Sequence, residues 1–312
     1  MPKTQGIDWG QRLGEMGDEV DVSPDLILRV DSVTGDNNLN SAGESWNRAF
    51  ATIQAAVNRA RYLVGTTTID DAKNHRSRVL VAPGHYNEQI LFSGYGIDVI
   101  GLGGVPGKDY GVSINYDAAI VAAPSVVAWS GSANSLKNLH IHQAAAYPAL
   151  YNAGGDNNLL ENIVIEGDGA VCTYGVVMDS MKGSFIKNLV ITGFITAGIH
   201  VTGGTDQYFI FGSIKDCMLF SAAANVTGIL VDSQASLVAY GATIERNRVI
   251  LSNGASCKGI DVNNTGAVVV CENIVSVPAS ATPIEHAGGD QFLINNHTAA
   301  GTVNVDPMPA AG

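Results

Sequence analysis

Leu136-Lys137-Asn138-Leu139-His140-Ile141 is the first of six related phrases, and its recurrence decides the fold. It returns as Leu160-Glu161-Asn162-Ile163-Val164-Ile165, Ile186-Lys187-Asn188-Leu189-Val190-Ile191, Ile214-Lys215-Asp216-Cys217-Met218-Leu219, Glu245-Arg246-Asn247-Arg248-Val249-Ile250 and Cys271-Glu272-Asn273-Ile274-Val275-Ser276. The turn residue steps from 138 through 162, 188, 216, 247 and 273, at intervals of 24, 26, 28, 31 and 26. Repeats of about 20–50 residues mark stacked supersecondary units, none able to bury its apolar face alone.

A second phrase runs out of step with the first: Gly175-Val176-Val177-Met178-Asp179, Gly198-Ile199-His200-Val201-Thr202, Gly228-Ile229-Leu230-Val231-Asp232 and Gly259-Ile260-Asp261-Val262-Asn263. Each repeat therefore holds at least two short strands rich in Val and Ile, bounded by Gly, Asn and Asp. No repeat carries an amphipathic helix. The pattern predicts an all-β chain: a right-handed parallel β-helix solenoid with an N-terminal capping helix, its coils stacked about 4.8 Å apart. The Asn and Asp turn residues 138, 162, 188, 216, 247 and 273 are expected to form one structural ladder, bonding to backbone and to each other.

The organisation expected is an arm over 1–28, a first strand, loop and capping α-helix over 29–78, the β-helix over 79–297 and a tail over 298–312. The arm is polar and acidic, with Trp9, Leu13 and Met16 as anchors for docking on a partner. From Ser45 to Val64 the apolar period is helical, with Phe50, Ile53, Val57, Ala60 and Val64 on one face. Such a helix suits the exposed first coil of a solenoid.

The chain has 312 residues, 46% hydrophobic and only 15% charged, with a net charge of −12. That charge sets it against nucleic-acid phosphates. No stretch approaches the roughly 18–20 apolar residues of a membrane helix, and the first ten residues lack the apolar core of a secretory signal. The four cysteines, at 172, 217, 257 and 271, show no metal-ligand spacing and read as free thiols in the core. No cofactor is expected.

The runs Ala49-Phe50-Ala51-Thr52-Ile53-Gln54-Ala55-Ala56-Val57, Val79-Leu80-Val81-Ala82-Pro83-Gly84-His85-Tyr86-Asn87-Glu88 and Val99-Ile100-Gly101-Leu102-Gly103 resemble the start of right-handed parallel β-helix proteins of the pectin-lyase-like superfamily. That pattern, a capping helix followed by a strand-turn-strand, is shared by pectin methylesterases, pectate-lyase-like proteins and many phage tail proteins. The resemblance spans about residues 30–297 and specifies fold rather than activity.

Several side chains are candidates for chemistry. Asp206-Gln207-Tyr208-Phe209-Ile210-Phe211-Gly212 is similar to the methylesterase nucleophile motif, but Tyr208 stands where that family has its Asp, and Asp206 lies two residues early. Asp179 and Asp232 hold one column two coils apart, with Thr202 between them. Two coils are about 9.6 Å, a spacing within reach of an inverting glycosidase pair. Asp at a strand end is equally a turn former. His140 and His142, at i and i+2, point the same way on a strand and are the candidate metal ligands.

Taking Leu139/Ile141, Ile163/Ile165 and Leu189/Ile191 as inward, the outward positions are His140, Val164, Val190 and Met218, continuing to Val249 and Val275. The Gly phrases add Val177, His200 and Leu230. An apolar ridge of that length is covered either by loops or by other chains, and a homotrimer buries such ridges about its axis. Together these features predict a non-enzymatic phage virion structural protein, a small tail spike, tail fibre or head decoration. It would be an oligomeric scaffold in the virion that meets other virion proteins through its arm and host-surface polysaccharide along its rod. The alternative is a polysaccharide-active enzyme of glycoside hydrolase or lyase type on the same fold, secreted rather than virion-borne.

Overall fold

The computed structural model describes residues 26–38, 43–64, 76–103, 111–115, 125–202, 208–232, 238–263, 267–286, 292–298 and 301–305. The phrases stack as a parallel β-helix. One sheet of 18 strands carries the six Asn/Asp phrases, and a second sheet of eight carries the Gly phrases. Leu160 lies beside Leu136 and Ile186, and Ile165 beside Ile141 and Ile191, so each coil repeats the residue choice of the one before. Among the described strands pairing is parallel, except that Gly301–Val305 turns back antiparallel on Phe292–Thr298.

Alternation places one set of side chains inside the coil. Leu139, Ile141, Ile163, Ile165, Leu189 and Ile191 meet Val176, Ile199, Ile229 and Ile260 of the opposite sheet, all fully buried. The recurring Gly is a packing requirement: a Cβ at Gly198 would stand 2.3 Å from Leu219 and 2.8 Å from the Gly228 carbonyl oxygen. All four cysteines are free, and three are buried.

The turn ladder forms, but it changes phase by one residue. Asn138, Asn162, Asn188 and Asp216 occupy the left-handed region at φ 53–57, where a short side chain that bonds locally is tolerated best. In the next two coils that conformation falls on Arg246 and Glu272, and beyond them on Asn295. Asn247 and Asn273 are thus not turn residues, as the shared phrase had suggested. They point inward at 1% and 0% exposure, with Asn296 stacked below them at 0%.

Their amides form a buried chain. Asn247 Nδ2 donates to Asn273 Oδ1 at 3.0 Å, and Asn273 Nδ2 to Asn296 Oδ1 at 2.9 Å. Each Oδ1 also accepts the backbone N–H of the coil above, from Cys217, Asn247 and Asn273 in turn. The slip carries Arg248 and Ile274 into the outward line behind Met218. Val249 and Val275, expected outside, are core residues at 0% and 1% exposure. A second amide ladder sits at the start of the phrase: Asn134 Oδ1 accepts from Ile97 N–H, and Asn158 Oδ1 from Asn134 N–H.

At the first coil, the helix Ile53–Val64 buries Ile53, Ala56, Val57 and Ala60 completely. It starts later than the period from Ser45 suggests, after a short 3-10 turn at Trp46–Arg48. Glu88 fixes that start. Its two carboxylate oxygens accept the N–H groups of Ile53 and Gln54, each at 2.8 Å, filling the orphan donors of the first turn. The Gln54 amide in turn exchanges two hydrogen bonds with the backbone of Leu91, like a neighbouring strand.

Candidate functional site

The outer face of the eight-stranded sheet concentrates groups that can move protons. Register aligns Tyr151, Val177, His200, Leu230, Asp261 and Glu285 down one outward column. At the strand ends, backbone N–H groups of Ala153, Asp179, Thr202, Asp232 and Asn263 each donate to the coil before, so these residues form a parallel column. Asp179 and Asp232 are therefore two coils apart, about 9.6 Å along the backbone, with His200 and Thr202 on the coil between them.

Tyr151 Oη donates to Asp179 Oδ2 at 2.8 Å. His200 Nε2 lies 3.5 Å from Asp232 Oδ2, an ion-pair distance, and the buried Nε2 makes no regular hydrogen bond. The Tyr174 ring stacks on the His200 imidazole, centroids 5.2 Å apart and planes 23° from parallel. Burial holds the His200 pKa below its ordinary value, against the pull of the Asp232 and Asp179 carboxylates. Burial likewise raises Asp179, opposed by the Tyr151 hydrogen bond and by His200. Tyr151 is pushed up to about 12 by burial and by Asp179. The arrangement thus holds a neutral imidazole between two carboxyl groups, one of which keeps its proton to higher pH than usual.

A second group lies further down the same face. Lys258 Nζ is 2.7 Å from Asp261 Oδ2 and 2.8 Å from Glu285 Oε2. Asp261 is 3% exposed, and its other oxygen, Oδ1, has no hydrogen-bond partner.

Of the residues expected to carry chemistry, Asp179 and Asp232 are brought together. His200, read as ridge, is the group between them. Asp206, and the anchors Trp9, Leu13 and Met16, lie outside the described residues. Tyr208–Ile210 is a strand of the other sheet, with Phe209 buried and Phe211 exposed in a left-handed turn. His140 is 5% exposed. Its Nδ1 is 3.1 Å from Ser113 Oγ and its Nε2 3.4 Å from Glu166 Oε2, and no group of three metal-ligating side chains occurs among the described residues.

The ridge is shorter than expected. Val190 and Met218 are exposed, whereas Val177 is 6% exposed and Val164, His200 and Leu230 are half-buried. Tyr151 and Tyr174 were missed. The signal was present: Leu150-Tyr151-Asn152 pairs with Val176-Val177-Met178, one coil later.

No family model matches the chain. No curated protein matches it either. Solved structures do. The chain is similar to Escherichia coli YbhC at a TM-score of 0.57 and 14% identity, covering 90% of this chain and 87% of that one. It is similar to the pectin methylesterase of Aspergillus niger at 0.52 and 17%, covering 91% and 93%, and to the pectin methylesterase PemA of Erwinia chrysanthemi at 0.52 and 15%, covering 90% and 92%. At these identities the likeness establishes the fold, the pectin-lyase-like parallel β-helix. It also corrects the expectation of a non-enzymatic phage virion protein, because the resemblance runs to pectin methylesterases.

Proposed function

We propose that this chain is a polysaccharide-active enzyme that hydrolyses glycosidic bonds on the outer face of the eight-stranded sheet. The observation that carries the reading is the Asp179 and Asp232 pair of the strand-end column, with His200 on the coil between them. Its backbone spacing of about 9.6 Å suits a carboxyl pair that leaves room for an attacking water, as inverting hydrolysis requires. Asp179, its pKa raised by burial, serves as the proton donor to the leaving oxygen. Asp232 serves as the base on water. The likeness to pectin methylesterases supports a glycan substrate. An ester-cleaving reading is weaker, because Tyr208 replaces the nucleophile of that family's motif.

Reducing-end release from a panel of polysaccharides tests the reading, with methanol release from methylated pectin measured alongside. Wild type is expected to shorten a glycan. Asp179→Asn and Asp232→Asn should each lower the rate by about 10²–10⁴-fold with the circular dichroism unchanged. Full turnover in Asp232→Asn, or methanol without chain cleavage, would refute it.

A further inference from the structure

The charge of the same face says which glycans it can take; this step rests on the hydrolase reading above. We infer that the substrate is an uncharged polysaccharide and that polyuronates are rejected electrostatically. Asp179, Asp232, Asp261 and Glu285 all belong to this face. Lys258 is the single Lys or Arg on the eight strands of the sheet, and it is already held between two carboxylates. Lys182, in the turn after Asp179, faces Asp156 at 3.6 Å. Burial favours the neutral form of the His200 imidazole at the centre.

The sequence allows no rescue from elsewhere in this half of the rod. From residue 188 to 312 there are nine Asp and Glu against four Lys and Arg. Lys215, Arg246 and Arg248 belong to the phrases of the other sheet. The segments 203–207, 233–237 and 264–266, which follow the strands of this face, contain neither Lys nor Arg. A polyuronate lying along the column would bring a carboxylate toward each coil with no free cation to receive it, and like charges placed together disfavour a partner strongly. Hydroxyls of a neutral glycan instead find acceptors at the carboxylates of Asp179, Asp232 and Glu285, which reach the surface.

Affinity electrophoresis of the full chain, through gels containing soluble galactan, xylan, glucan or polygalacturonate, tests this directly. At least one neutral glycan is expected to retard the protein, about tenfold or more more strongly than polygalacturonate at low salt. That retardation should change little as salt rises. The double variant Asp261→Asn/Glu285→Gln, which frees Lys258, should gain affinity for polygalacturonate. Equal or tighter binding of polygalacturonate by wild type would overturn the inference while leaving the hydrolase reading intact. Retardation by no neutral glycan would overturn it too, as would a double variant still blind to polygalacturonate. Neutral-glycan binding without release of reducing ends would support the charge selection and sink only the hydrolase.

Discussion

Replacing Asn273 by Ala removes the middle rung of the buried amide chain, and its cost follows from the bonds that rung makes. Asn273 Oδ1 accepts from the backbone N–H of Asn247 at 2.9 Å and from Asn247 Nδ2 at 3.0 Å. Its own Nδ2 donates to the Ile244 carbonyl and to Asn296 Oδ1. The truncation strands two donors of Asn247 in a fully buried site, and each unsatisfied buried group costs about 1–3 kcal/mol. The expected loss is therefore about 2–6 kcal/mol.

Asn162→Ala is the internal control. Asn162 is an exposed turn residue at φ 53, where Ala forfeits a conformational preference of about 1–2 kcal/mol and one solvent-exposed hydrogen bond, from its Nδ2 to Asn138 Oδ1 at 3.2 Å, whose partners water can satisfy. Equilibrium urea unfolding, followed by far-ultraviolet circular dichroism, measures both. Asn247→Ala/Asn273→Ala should cost less than the sum of its single variants, because the first change removes one of the donors that the second would strand. A loss below about 1 kcal/mol for Asn273→Ala, no greater than that of Asn162→Ala, would refute the bonding argument.

Two further outcomes are expected. The His200 imidazole, followed by NMR, should titrate below its ordinary value of 6.5; a midpoint at or above 6.5 would contradict its burial. Because the unfolded chain binds this proton more readily, the His200 contribution to stability is present above pH 6.5 and is lost as pH falls from there through the folded pKa. Asp232→Asn should depress the midpoint further, since that carboxylate raises it. Glu88→Ala should cost about 1–3 kcal/mol in a thermal or urea melt by stranding the buried Ile53 donor, the part-buried Gln54 donor being within reach of water, with Glu88→Gln losing less. Wild-type stability in Glu88→Ala would show that the helix start does not depend on this carboxylate.

The parallel stack was legible because its two demands, apolar alternation and a turn-forming Asn or Gly at each corner, are written in every repeat. The phase slip at Arg246 was not. Asn serves both as a left-handed turn former and as a buried rung, and the letters Arg-Asn-Arg look like Lys-Asn-Leu with the two flanking residues replaced. The deciding fact is the presence of amides directly below, at 273 and 296, which only the register supplies. The site was half legible for a similar reason. Asp179 and Asp232 share a column by spacing alone, whereas Tyr151 and Tyr174 reach it across coils whose phrases lack the leading Gly pattern or precede it. His200 read as ridge because its partner carboxylate lies diagonally, on the next coil rather than on its own strand.

A solenoid built from parallel strands has two raw edges, each a template on which another molecule could continue the stack. This chain blunts both. At the start, the Gln54 amide occupies the backbone groups of Leu91 that a preceding strand would claim. At the finish, the eight-stranded sheet ends on Thr282–His286, where Pro283 has no N–H to offer and Glu285 places a charge. The other sheet ends by reversing direction at Gly301–Val305, a polarity that an incoming coil cannot match. Head-to-tail stacking on these edges is accordingly disfavoured.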